Sequence, residues 1–173
     1  MTSIHVEYKV PSAVRPSPRV LEIAAMFGLG LDDQREVTII PPRTIEIPVE
    51  TGGIIFVTGS SGGGKSTLLR LIGEACQDQN LTVLRFDELP ELRDESLVDV
   101  FDLPLDQTLA ILAQVGLGDA FVMLRRPCEL SDGQYHRLKL AQLMHIVGQS
   151  NAPSIVLADE FGATLDRLTA SII

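Results

Sequence analysis

Residues 57–67 read VTGSSGGGKST, with Gly59, Gly64, Lys65 and Ser66 at the spacing G-x-x-x-x-G-K-[ST] and an apolar run leading in from Ile54. A phosphate group carries charge that backbone N–H groups can meet only if the chain wraps it closely, so side chains must be missing where the wrapping is tight. Gly59, Gly62, Gly63 and Gly64 leave that room. A helix expected from Lys65 turns its unpaired N–H groups and its positive dipole end toward the same anion. Lys65 is expected to reach the β- and γ-phosphates of a nucleotide and the Ser66 hydroxyl to hold Mg²⁺, with Ser60, Ser61 and Thr67 completing the loop. Kinases, GTPases, motors and transport ATPases all use such a loop, so it fixes the ligand chemistry and not the machine.

Outward from the loop, 54–58 reads as a continuous apolar strand of the kind found at the centre of a parallel sheet. The residues at 68, 69, 72 and 75 fall on one face of a helix over 66–76, and 81–86 reads as the next strand. A helix over 105–115, with Leu105, Leu109, Leu112 and Val115 on one face, stops at Gly116; another covers 132–147, and 154–158 is a last buried strand. Before the loop, the prolines of 9–19 predict an extended lead-in, followed by a short helix over 20–27. Two short strands at 37–40 and 45–49 form an antiparallel flap, separated at Pro41-Pro42 by a turn or bulge. The expected fold is therefore an α/β P-loop NTPase, a mostly parallel sheet flanked by helices with a small antiparallel β flap. Residues 1–36 form a lead-in and short helix, and 37–173 the nucleotide-binding domain.

Bulk properties narrow the setting. A chain of 173 residues with 45% hydrophobic content can bury one proper core. No apolar run approaches the roughly 20 residues of a membrane-spanning helix, and the N-terminus lacks a signal-peptide pattern. Cys76 and Cys128 form no metal-ligand spacing, so a reduced, cytoplasmic setting is expected. A net charge of −9 opposes a sequence-independent grip on nucleic acid and leaves that partner without support. The acidic run at 87–95 reads as a solvated loop, the Arg125-Arg126 pair as solvated charge, and Met123, Met144 and Phe121 as core fillers.

Phosphoryl transfer to water needs a metal ligand and a group to orient the water, and acidic residues ending a buried strand can supply both. SIVLADE, residues 154–160, ends in such a pair: Asp159 is placed to hold Mg²⁺ through water and Glu160 to polarise the attacking water.

Between the loop and that strand lies ELSDGQYHRLKLAQL, residues 129–143. It resembles the LSGGQ signature of the ABC-type ATPases at Leu130, Ser131, Gly133 and Gln134, with Arg137 downstream. DEFGATLD, residues 159–166, resembles the family's D-loop, with Asp166 six residues after Glu160. The resemblance covers roughly 37–173. It implies that Ser131, Gly133, Gln134 and Asp166 complete the ATP site of a second subunit, so that two nucleotides are sandwiched in a homodimer and hydrolysis requires association. The stretch GLGDAFVMLRRPCELSDGQ, residues 116–134, also resembles bacterial and archaeal ABC-type ATPases fused to a predicted acetyltransferase domain.

Several departures from the family pattern stand out. Asp132 replaces the first glycine of the signature pair and brings negative charge toward a partner's γ-phosphate. The chain between Lys65 and Ser131 is shorter than in transporter cassettes, and its glutamines Gln107 and Gln114 fall on an expected helix, which disfavours a transporter role. The adenine-stacking aromatic is absent or is Phe27 or Tyr8. The family's switch histidine lies beyond the D-loop, whereas His5, His136 and His145 all precede it, so the fold is expected to be C-terminally incomplete and these histidines to be ordinary side chains. The leading expectation is a soluble, membrane-free cassette that hydrolyses Mg-ATP with Glu160 and Lys65 as catalytic residues and drives a fused or associated domain. A non-hydrolysing ATP-dependent assembly module is the second, and a small-molecule kinase using Asp87 the third.

Overall fold

A computed structural model describes residues 2–12, 15–30, 35–48, 52–150, 152–159 and 161. The chain divides into two compact units, Met1–Gln79 and Asn80–Ile173. It is α/β, with two small two-stranded sheets, one antiparallel and one parallel. Among the described residues no helix is long and apolar enough to cross a membrane.

The first unit is built on strands β1 (Thr2–Ser12) and β2 (Arg35–Ile47), paired antiparallel from Thr2↔Ile47 to Ser12↔Arg35. Period-two alternation buries Ile4 and Val6 of β1, Ile40 and Ile47 of β2 are buried on either side of a register shift, and helix α2 (Lys65–Asp78) packs against β1 with Ile72 and Cys76 buried. Between the strands runs α1 (Pro18–Met26), capped by the Ser17 hydroxyl, which accepts from the Val20 amide at 3.3 Å.

Two expectations for this unit are corrected. The prolines of 9–19 do not keep the chain start out of a core element: β1 runs through Pro11, because a two-stranded ribbon leaves each strand an open edge where a missing N–H is tolerated. Nor does Pro41-Pro42 end a strand. β2 is continuous, and the register shifts between Val6↔Arg43 and Tyr8↔Ile40, so Glu7 stands opposite both prolines in a bulge.

The apolar run at 54–58 belongs to no strand among the described residues; Ile54 is 94% exposed and Phe56 85%. The expected central parallel strand is therefore not formed there. Apolar content marks a segment that can be buried, whereas strand status depends on a neighbour that periodicity does not reveal.

The second unit begins with β3 (Thr82–Arg85) and ends its described core with β4 (Ser154–Leu157), paired in parallel from Thr82↔Ser154 to Arg85↔Leu157. The crossover carries α3 (Leu105–Gln114), the single turn α4 (Ala120–Met123) and α5 (Asp132–Gln149). Phe86, Leu97, Val100, Phe101, Leu112 and Leu138 form its core. The acidic stretch after β3 is a loop, as its charge predicts, and it is fastened by the Gln142 side chain donating to the Pro90 carbonyl at 2.8 Å.

The buried face of α3 is rotated from the expected one. Thr108 and Leu112 are buried while Leu105 is 62% exposed, because burial follows the packing of α3 on α5 and not the count of leucines. Phe121 is no core filler either: α4 is one turn long and leaves its ring 79% exposed.

Candidate functional site

The glycine-rich loop closes onto the start of α2. Gly62 and Gly64 adopt φ of +74° and +80°, the left-handed region that glycine enters without a Cβ penalty, and Gly64 is the N-cap of α2. Gly63 donates its N–H to the Ser60 carbonyl at 3.1 Å, and a Cβ on Gly63 would stand 3.0 Å from that same oxygen. Any side chain there would fill the cradle. Lys65 turns back over the loop, its Nζ donating to the carbonyls of Ser60 at 2.9 Å and Gly59 at 3.1 Å.

Two bonds use two of the three ammonium donors, so the charge is held over the loop with capacity for an anion. The first N–H groups of α2 have no intrahelical acceptor and point the same way. Ser60, Ser61 and Ser66 are exposed, and Thr67 is half-buried. The donors fit a polyphosphate, and the Ser66 hydroxyl is a hard oxygen ligand of the kind that suits Mg²⁺.

In the second unit, Ser131 is the N-cap of α5. Its hydroxyl accepts from the Gln134 amide at 3.3 Å, and the Gln134 side-chain oxygen accepts from the Ser131 amide at 3.1 Å. This reciprocal capping box explains why serine and glutamine occur three residues apart at a helix start. Gly133 is half-buried and Asp132, in the first helical turn, is exposed.

Asp159 sits in the turn just past β4, half-buried, beside Ala158, which packs on the core. Glu160 and Asp166 lie outside the described residues. The structure thus gathers Gly59 to Thr67 in the first unit, and Ser131, Gly133, Gln134 and Asp159 in the second.

Sequence reasoning passed over His136. Its ring lies 4.9 Å from that of Phe86 and 5.8 Å from that of Phe161, and Phe86 and Phe161 are themselves 5.9 Å apart edge to face. The Nε2 atom is buried without a hydrogen-bond partner among the described residues. Burial first, and the charge of Lys139 second, push the imidazole below the ordinary histidine value. The signal available in the sequence was positional: His136 lies five residues after the signature serine, and Phe161 directly follows the acidic pair.

No family model matches the chain. Among curated proteins it is similar to the aliphatic sulfonates import ATP-binding protein SsuB of Albidiferax ferrireducens, at 34% identity over 92% of the chain and 59% of that protein. It is similar to the lipoprotein-releasing system ATP-binding protein LolD of Idiomarina loihiensis, at 28% over 90% of the chain and 78% of that protein. The macrolide export ATP-binding/permease protein MacB of Shewanella sp. (strain W3-18-1) is 25% identical over 87% of the chain, which spans 27% of that protein's length. These names give no support to a fused acetyltransferase domain.

Proposed function

Because this chain is a homologue of the ATP-binding proteins of ABC systems, we propose that it binds Mg-ATP on the loop 59–67 and hydrolyses it in an ATP-sandwiched homodimer that drives a partner. The observation that carries this reading is the Lys65 ammonium folded over the Gly59 and Ser60 carbonyls at the positive end of α2. In it Lys65 binds the β- and γ-phosphates and Ser66 and Asp159 hold Mg²⁺. Glu160 polarises water, while Ser131, Gly133, Gln134 and Asp166 complete the partner's site. The cassette is taken to span 37–173. The relatives' names favour a membrane-transport partner over a fused enzyme domain.

The exposed carboxylate of Asp132 favours a second reading, a non-hydrolysing module that binds ATP for assembly without closing tightly enough to turn it over. It adds negative charge at a helix start meant to face a phosphate. Phosphate release and light-scattering mass, measured with Mg-ATP on the parent chain, Lys65→Ala and Glu160→Gln, separate the two. Hydrolysis is read as turnover lost in Lys65→Ala and an ATP-dependent dimer trapped in Glu160→Gln. ATP binding without turnover selects the assembly module, and turnover that needs a phosphate acceptor selects a kinase.

A further inference from the structure

We propose that His136 is a positioning residue, its ring clamping Phe161 against Phe86 so as to fix the turn that carries Asp159. The inference rests on the hydrolytic reading above only for what the turn does; the clamp itself stands on geometry. Three rings from three places in the chain meet in the second unit. Phe86 follows the end of β3 and is buried, His136 lies just past the first turn of α5, and Phe161 follows the acidic pair after β4. The edge-to-face and tilted arrangements are those in which ring edges meet ring faces favourably.

Of the three, Phe161 is the one from a turn and not from a regular element, and it is half-exposed. Its contacts with Phe86 and His136 join the turn after β4 to the start of the signature helix. A histidine whose Nε2 is buried and unpartnered gains nothing from hydrogen bonding at that atom; its ring contributes through stacking. Lys139 is the charged group that acts on the His136 ring, with its Nζ 5.0 Å from the Phe86 ring centre; Arg85, Asp87, Glu88 and Asp159 flank the two phenylalanines in sequence.

The chain contains no tryptophan, so Phe161→Trp supplies a single tryptophan at the clamp, excited selectively over Tyr8 and Tyr135. With His136 present, its emission should be quenched as the imidazole protonates below the ordinary histidine value, and the quenching should vanish in Phe161→Trp/His136→Phe. In steady-state turnover without the reporter, His136→Ala should lower kcat about tenfold or more with KM little changed, as expected when a catalytic group is misplaced. His136→Phe, which keeps a ring, should recover most of the rate. Emission that is the same with and without His136 overturns the clamp, as does a His136→Ala variant with parental kcat. A parent chain that does not hydrolyse ATP overturns the hydrolytic reading instead, while the emission still decides the clamp.

Discussion

Ser131 and Gln134 cap one another at the start of α5, the hydroxyl accepting at 3.3 Å and the side-chain amide oxygen at 3.1 Å. The same two residues are those whose spacing resembles the ABC signature, so one pair serves both the helix and the proposed partner site. An accepting hydroxyl still has its own hydrogen to donate. Ser131→Ala should therefore do two separable things. It should lower unfolding stability by about 1 kcal/mol, the usual cost of losing an N-cap, read from a urea midpoint. It should also weaken ATP-dependent dimerisation in light scattering, whereas Ser131→Asp should restore the cap and not the dimer. A Ser131→Asp chain that dimerises like the parent would show that the hydroxyl only caps the helix.

The glycine loop makes a sharper distinction. At Gly64 the obstacle to alanine is backbone conformation: φ is +80°, and the nearest atom to a new Cβ, Ile39 Cγ2, is at an ordinary 3.5 Å. Gly64→Ala should cost roughly 1–2 kcal/mol of stability, the penalty of a left-handed non-glycine residue. At Gly63 the obstacle is the Ser60 carbonyl at 3.0 Å, which can give only by reshaping the loop. Gly63→Ala should leave thermal unfolding nearly unchanged and weaken nucleotide binding by about tenfold or more in calorimetric titration. Equal losses of stability and affinity in both variants would refute the assignment of the loop as a phosphate cradle.

Helices were the most legible part of this sequence, because periodicity, caps and stop signals are local. Ser131 before α5 and Gly116 after α3 each mark an end that the structure keeps, whereas α1 begins at Pro18, two residues ahead of the expected start at Val20. Pairing was not legible. Whether 54–58 is a strand depends on its neighbours, and β1 shows that prolines do not forbid a strand where its edge is open. Of the site, the loop at 59–67 was legible, since Gly62 and Gly64 answer a demand of backbone conformation and Gly63 one of space. The His136–Phe86–Phe161 contact could not, because its three rings are brought together by topology alone.

His136 also gives a pH dependence with a definite sign. Its folded value lies below the ordinary 6.5, so above that value it is neutral in both states and the full stability is present. As pH falls through 6.5 and then through the lower folded value, the unfolded chain binds the proton first and stability is lost. Urea midpoints should fall between about pH 7 and 5, above the range where most carboxylates titrate. His136→Phe should flatten that part of the profile; an unchanged slope would mean that other groups produce it.

The buried hydroxyl of Thr108 offers a prediction in the opposite direction. Thr108 lies on the inner face of α3, fully buried, and its Oγ1 has no hydrogen-bond partner. A hydroxyl taken out of water without compensation costs on the order of 1–3 kcal/mol, and a methyl of the same shape does not carry that cost. Threonine and valine have similar helix propensities, so the backbone should be indifferent to the exchange. Thr108→Val should therefore stabilise the chain by about 1 kcal/mol, with the cooperative unfolding slope unchanged. Thr108→Ala removes the hydroxyl and the methyl together. It should instead destabilise by leaving a void where α3 packs on α5, and the two variants measured side by side separate the polar cost from the packing gain. If valine proves destabilising as well, the hydroxyl is bonded in solution, and the Pro104 carbonyl, which already accepts from the Thr108 amide at 3.0 Å, is the acceptor within reach.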